Sequence, residues 1–285
     1  MWRISLSGGF EQWRREARAL LLAGVPPEQV SWDEAGEQAD LFASLSAPVP
    51  AAASGVTVRI SARVQAMLES AARCRTEDRW ALLYRVLWRT AGGDMAAVLA
   101  GDVDGSRLMQ RVRAVRHEIH HLHAFLRFAP NPQAWGPRHL AWFEPAHEVL
   151  DLVGEHFSQR MGRESWMIAT PGPGLCFDGQ RFDYRESCPE SWRSQARLAA
   201  SDPMALWQRY YSSIFNPARI NPEAMRGHMP LRFWRHLPEG ALVPELLSQA
   251  RLGGRRHGQR EALAQQRGKT IAGRPATASE SGGEC

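Results

Sequence analysis

Within the stretch Arg116–Phe128, RHEIHHLHAFLRF, the residues His117-Glu118-Ile119-His120-His121 satisfy the HExxH pattern. In zinc peptidases two histidines so spaced hold the metal while the glutamate activates water. A metal-dependent hydrolase using His117, Glu118 and His121 is the reaction class these letters would support. The surrounding helix argues otherwise. Leu108, Val112, Val115, Ile119, Leu122 and Leu126 form an apolar stripe of helical period. At ~100° per residue, His117 and His121 point nearly opposite to it, toward solvent. The extended pattern HExxHxxGxxH would need Gly and His where Ala124 and Arg127 stand. A completing ligand would have to come from Glu144, Glu148, His139 or His156. No metal is therefore expected, and Glu118 and His120, at the two flanks of the stripe, are better placed to meet a neighbouring element.

Three other groups invite the same question. Glu144, His147 and Glu148 could form an acid/base group beside a strand end, but carboxylates at a helix start near Pro145 explain the two glutamates without catalysis. Cys176 and Cys188 have no local activating group, and apolar neighbours predict that Cys176 is buried. The segment PGPGLCFDG lacks both GxxxxGK[ST] and GxGxxG, so it reads as a hairpin turn and no cofactor is expected.

Leu206–Pro244, LWQRYYSSIFNPARINPEAMRGHMPLRFWRHLPEGALVP, is chemically distinctive. Asn216-Pro217 and Asn221-Pro222 are good helix starts, with Asn as the cap and Pro in the first turn. Helix N-termini offer free N–H groups to a phosphate. Around them stand Arg209, Arg219, Arg226, Arg232 and Arg235, with Tyr210, Tyr211, Phe215, Phe233 and Trp234, while Glu223 is the sole acid between Ala205 and Pro238. Arginines fix phosphates and aromatic faces stack on bases, which suits single-stranded or distorted nucleic acid. The bland alternative keeps the aromatics in a core and pairs the arginines with carboxylates elsewhere.

The elements that must position these groups follow from periodicity. WRISL, an amphipathic run from Phe10 to Leu22, and QVSW read as strand, helix and strand. Residues 34–55 read as a linker and VTVRI as a strand. Helices follow: ARVQAMLESAARC, DRWALLYRVLWRTAG, DMAAVLAG and a long segment from Gly105 to Phe128. HLAWFEP, SWMIATP and GLCFDG read as strands, with the helix PAHEVLDLVGEHFSQRM between the first two. Beyond Ser201 helix returns with DPMALWQRYYSSIF and LPEGALVPELLSQA. The expected class is α+β, helix-rich, with a small mostly antiparallel sheet flanked by helices and a short N-terminal αβ unit. The expected organisation is an N-terminal unit with linker (1–55), a main domain (56–250) and a basic tail (251–285).

The 285 residues, 44% hydrophobic, are enough for a sizeable core. No run is long enough to span a membrane and the N-terminus lacks a signal-peptide apolar region, so a cytoplasmic protein is expected. The four cysteines show no CxxC spacing, which excludes a zinc knuckle and a disulfide framework. Seven basic against three acidic residues from Arg251 onward hold most of the net +5 charge, a composition suited to a disordered arm for polyanions or a solvated tail. All basic residues but Lys269 are arginine, a bias that fits nucleic-acid recognition or an arginine-favouring genome.

LYRVLWR, the Glu118-x-His120 pair followed by AFLRF, EPAHEVLDLVGEHFSQR, SWMIATP and YYSSIFNPARINPEAMRGHMPLRFWRHLPE resemble a bacterial family of DNA metabolism or repair proteins, a domain of unknown function. The resemblance runs from about Leu82 to Ala250. The opening αβ unit, with PPEQVSW and DLF, looks like the form of this domain that precedes a uracil-DNA glycosylase-like domain in fused proteins. Other relatives stand alone and are associated with a radical-SAM DNA-modification protein. The resemblance implies a DNA-related role; together with the arginine and aromatic pattern it leads to a DNA-binding accessory or substrate-recognition module acting with such an enzyme, the alternative being a protein–protein scaffold without direct DNA contact whose arginine and aromatic surface docks a repair enzyme. Arg127, Tyr211, Asn216, Arg219, Asn221 and Arg232 would be the nucleic-acid contacts, with Glu118 and His120 as the polar pair. In the family pattern the positions of His117 and His121 usually hold Arg or Lys, which implies a basic helix surface rather than a zinc pair. No glycosylase motif is found after Arg251.

Overall fold

A parallel strand pair opens the chain, β1 (Trp2–Leu6) and β2 (Val30–Glu34), with Trp2 opposite Val30 and Leu6 opposite Glu34. The computed structural model describes residues 1–34, 58–201, 223, 231–234, 237 and 242–251. Between the two strands runs α1 (Gly9–Leu22), which buries Trp13, Ala17 and Leu20, a helical spacing that puts one apolar stripe inward. Gly24, at φ 72°, ends it: the Gly24 and Val25 N–H groups return to the Leu21 and Leu20 carbonyls, a closure that needs a residue free to adopt positive φ.

This αβ unit does not close on itself. Ile4, Leu6, Trp13 and Leu20 share a core with α2 (Ala62–Ala72), α3 (Arg79–Ala91) and Leu108. Trp13 stacks on Trp80 at 6.0 Å, and the Tyr84 hydroxyl donates to the Val25 carbonyl at 2.7 Å. Full burial of an apolar side chain contributes about 1.5–3 kcal/mol, so these rings tie α3 to the opening unit. The expected strand VTVRI is not formed over residues 58–60, which run irregularly into the Ser61 cap of α2. DMAAVLAG yields a single 3-10 turn, Met95–Val98, because Gly92, Gly93 and Gly101 bracket it too closely for a longer helix.

After the long α4 (Val103–Phe125) comes a five-stranded sheet of spatial order β3-β4-β5-β6-β7. Its strands are β3 (Ala129–Pro130), β4 (His139–Trp142), β5 (Trp166–Ala169), β6 (Gly174–Phe177) and β7 (Phe182–Arg185). β4 and β5 pair in parallel and all other neighbours are antiparallel. The central β5 is buried at every position, which is why WMIA is a continuous apolar run without alternation. One side of the sheet carries Trp166, Phe177 and Phe182 in mutual ring contact, and Trp166 also meets Phe157 of α5 (Gly154–Met161) and Phe128. α6 (Glu190–Ser201) packs on β4 and β5, and its Trp192 sits where a side chain on Gly174 would be. The architecture is α+β, with a mostly antiparallel sheet flanked by helices and a second short sheet at the N-terminus.

Four elements depart from the periodicity. The helix expected to start near Pro145 begins only with a 3-10 turn at Leu150–Leu152 and continues as α5 from Gly154. The residues ahead of it are held as a loop by contacts described below. α6, over Glu190–Ser201, was not anticipated, the helix expected over DPMALWQRYYSSIF lies outside the described residues, and β3 and β7 are short edge strands without an alternating pattern. The chain divides into two units, Met1–Asp202 and Pro203–Cys285. In the second, Leu231–Trp234 and Val243–Arg251 are helical. Among the described residues, no helix is long and apolar enough to cross a membrane.

Candidate functional site

α4 organises the candidate site. Its cap, Asp102, accepts from the Asp104 and Gly105 N–H groups at 2.9 and 3.1 Å, and Arg89 holds the same carboxylate at 2.7 Å. That guanidinium first, then the Gly105 N–H, pulls the Asp102 carboxyl down to about 2. The buried face is Leu108, Arg111, Val115, Glu118 and Leu122, with Val112 and Ile119 only half-buried. The inward face is therefore turned from the stripe that hydropathy indicates. Two polar residues lie inside it because each finds a partner: Arg111 reaches Asp78 at 2.5 Å, and Glu118 accepts the Ala146 N–H at 2.7 Å.

The opposite face is cationic. Gln110, Arg113, Arg116, His117 and His120 are all exposed there, while Arg107, also exposed, lies at the edge of the buried stripe near the angle of Glu118. Arg107, Arg113 and Arg116 have no carboxylate partner among the described residues. The helix carries two acids, and neither serves this face: Asp104 is held by Arg85 and Arg89, and Glu118 is buried. At ~1.5 Å per residue, Arg113 to His120 covers ~10 Å of helix. The outward spacing RxxRHxxH, Arg113 to His120, overlaps the HExxH letters, so the two arginines carry no motif of their own.

Glu118 has a positioning role, because its carboxylate holds the loop 143–149 at the C-terminal end of β4, beside the parallel strand β5. From the other side Arg73 exchanges two hydrogen bonds with Glu148: the Glu148 N–H donates to the Arg73 carbonyl at 2.9 Å, and the Arg73 guanidinium donates to the Glu148 carbonyl at 3.1 Å. The Glu148 side chain takes Arg79 at 2.9 Å, and Glu144 accepts from the Trp142 indole at 3.2 Å. No helix starts at Pro145, so the two glutamates are not helix-start carboxylates. They are loop anchors. His147, in the same loop, lies 3.9 Å from the Cys74 thiol. Burial pushes Cys74 upward despite Arg111 and Arg79, so the pair holds a protonated thiol at neutral pH. Burial likewise raises Cys188, and pushes Cys176 up to about 11 although that residue is half-exposed rather than buried.

The sequence-derived site residues are distributed as follows. Glu118 is 2% exposed, whereas His120 stands on the solvent face about 200° away around the helix, so the two do not meet. His120 thus does not face a neighbouring element as its position at the flank suggested. Arg127 bends back to donate to the Ala124 carbonyl at 2.8 Å and the Leu126 carbonyl at 3.3 Å, closing the end of α4 at Phe125, short of Phe128. Arg232 is exposed, with its guanidinium 4.6 Å over the ring of buried Phe233. Tyr211, Asn216, Arg219 and Asn221 lie outside the described residues.

The HExxH residues are split. His117 is exposed, while His121 is half-buried with Nδ1 3.8 Å from Glu118. Their rings are 6.1 Å apart. His139 lies 3.6 Å from Glu164, and His156 stacks on His123 at 3.8 Å. Among the described residues, no group of three His, Cys, Asp or Glu side chains is placed to hold a metal ion.

No curated protein and no solved structure matches the chain. Residues 77–239 match the family model described as Domain of unknown function (DUF4130), and because that match spans more than half of the 285 residues, the chain belongs to this family.

Proposed function

We propose that this chain is a bacterial, cytoplasmic DNA metabolism or repair protein, a nucleic-acid-binding accessory or substrate-recognition module that acts with a repair or modification enzyme. The observation that carries the reading is the outer face of α4, where Arg113, Arg116, His117 and His120 line ~10 Å of helix with no carboxylate among them. Surface arginines are ordinarily paired or interspersed with acids, and a single-sign row is costly unless a polyanion neutralises it. Phosphate is the natural counter-charge, since its backbone contacts position a nucleic acid without reading its sequence.

Arg232 over Phe233 supports the same reading from the second unit, because a guanidinium held on a ring presents its donors in a fixed plane. Tyr211, Asn216, Arg219 and Asn221 are the further contacts of this proposal, with single-stranded or distorted DNA as the ligand. Arg127 contributes through the end of α4 that it closes. Glu118 acts by holding loop 143–149. The partner enzyme is glycosylase-like or a radical-SAM protein, by resemblance to the fused and associated relatives.

The test is a titration of single- and double-stranded DNA over a range of salt, with the wild type and an Arg113→Ala/Arg116→Ala variant. Each phosphate-neutralising arginine contributes about 0.7 to 0.9 to the slope of log K against log salt, so the double variant should lose about 1.4 to 1.8 of slope. No binding of either DNA at low salt, or an unchanged slope in the variant, refutes the proposal.

A further inference from the structure

A groove of about 590 Å³ lies on the first unit, away from α4. Its walls come from α1, the 58–60 segment, α2 and α3. Leu21, Leu22, Val58, Ile60, Leu68 and Leu87 supply an aliphatic lining, and Phe10 and Trp13 add one stacked pair. The rim is basic: Arg14, Arg15 and Arg18 are exposed on α1, and no acid lines the groove. Arg14 pairs with Glu11 at 2.8 Å, whereas Arg15 and Arg18 have no carboxylate partner among the described residues.

We propose that this groove is a docking site for an amphipathic segment of a partner protein, apolar on the face it inserts and acidic along its flank. Apolar anchors at helical spacing entering a hydrophobic groove are a recurrent mode of peptide recognition. Here the charge selects the partner, because two unpaired guanidiniums beside an aliphatic floor favour carboxylates that arrive with apolar side chains. Nucleic acid fits the same rim less well. Bases need exposed ring faces to stack on, and of the two rings here Trp13 is 1% exposed and Phe10 half-buried. The proposal stands apart from the DNA reading of α4 and gives the chain a separate surface for the enzyme it would serve.

Two synthetic fluorescent peptides with the same leucines at i, i+3, i+4 and i+7, one carrying glutamates between them and one lysines, test it by anisotropy on the full chain. The glutamate peptide should bind saturably and the lysine peptide should not. Arg15→Glu/Arg18→Glu, exposed positions whose change leaves the core intact, should weaken the glutamate peptide by about tenfold or more. Arg113→Glu on α4 should leave it unchanged. Binding of neither peptide, equal binding of both, or no effect of the Arg15/Arg18 reversal overturns the proposal. If that reversal instead weakens DNA binding and spares the peptide, the groove belongs to a nucleic-acid surface and the proposal also falls.

Discussion

Gly105→Ala sets helix propensity against packing, and the structure decides the sign. Gly105 sits in the first turn of α4, and replacing a helical glycine by alanine ordinarily stabilises by up to about 1 kcal/mol. A Cβ at this position would lie 2.2 Å from the Leu99 carbonyl oxygen, 2.7 Å from its nitrogen and 2.9 Å from its carbonyl carbon. These are backbone atoms, and the same carbonyl accepts the Asp102 N–H at 3.1 Å, so no side chain can swing aside to make room. Overpacking costs about 1–3 kcal/mol, and a backbone clash belongs at the upper end, which leaves about 2 kcal/mol of net destabilisation. With a urea m-value of about 2 kcal/mol/M, the midpoint should fall by about 1 M in a fluorescence-monitored titration. Gly101→Ala is the control: nothing lies within 4 Å of the added atom, and its stability should stay within about 0.5 kcal/mol of wild type. A Gly105→Ala protein as stable as wild type would mean that α4 does not start against Leu99. The placement of the cationic face along that helix would then lose its anchor.

Two further outcomes follow from the same region. Removing the Glu118 carboxylate with Glu118→Ala should cost about 1.5–3 kcal/mol by freeing the Ala146 N–H from a charge-assisted bond, while Glu118→Gln, which keeps an acceptor, should lose less; equal losses in urea titration would deny the loop-holding role. Asp102 titrates below its ordinary value in the folded chain, so its contribution to stability is complete above about pH 4 and is lost as the pH falls through about 2. Asp102→Asn should therefore flatten that acid limb of the stability–pH curve, read by circular dichroism, and an unaltered limb would contradict the Arg89–Asp102 pairing.

Much of the fold was legible because its cause is local. β1, α1, α3, β5 and β6 each show a period or an apolar run that only one kind of element can bury, so their positions follow from side-chain chemistry along a few residues. The segment PGPG turned the chain between β5 and β6 as its glycine and prolines require. What failed was decided by partners distant in the chain. Residues 145–149 carry a helical pattern, yet Glu118, Arg73 and Arg79 hold them as a loop from elements 28 to 75 residues away. Cys176 has apolar neighbours in sequence but faces the half-open side of a short strand.

The candidate site divides along the same line. Composition alone determined that cations on α4 and in the 206–244 segment outnumber acids, and the helical period determined that His117 faces away from the core. Hydropathy put Leu108, Val115 and Leu122 inward but could not fix the rotation of α4, since it counts Arg111 and Glu118 as outward residues. Tertiary structure turned the helix further by supplying Asp78 and the Ala146 N–H as partners, so that Glu118 turned in, His120 turned out, and Arg113 and Arg116 were left without carboxylate partners among the described residues. A charged side chain is placed by where its counter-charge lies in space, and no period along the chain records that.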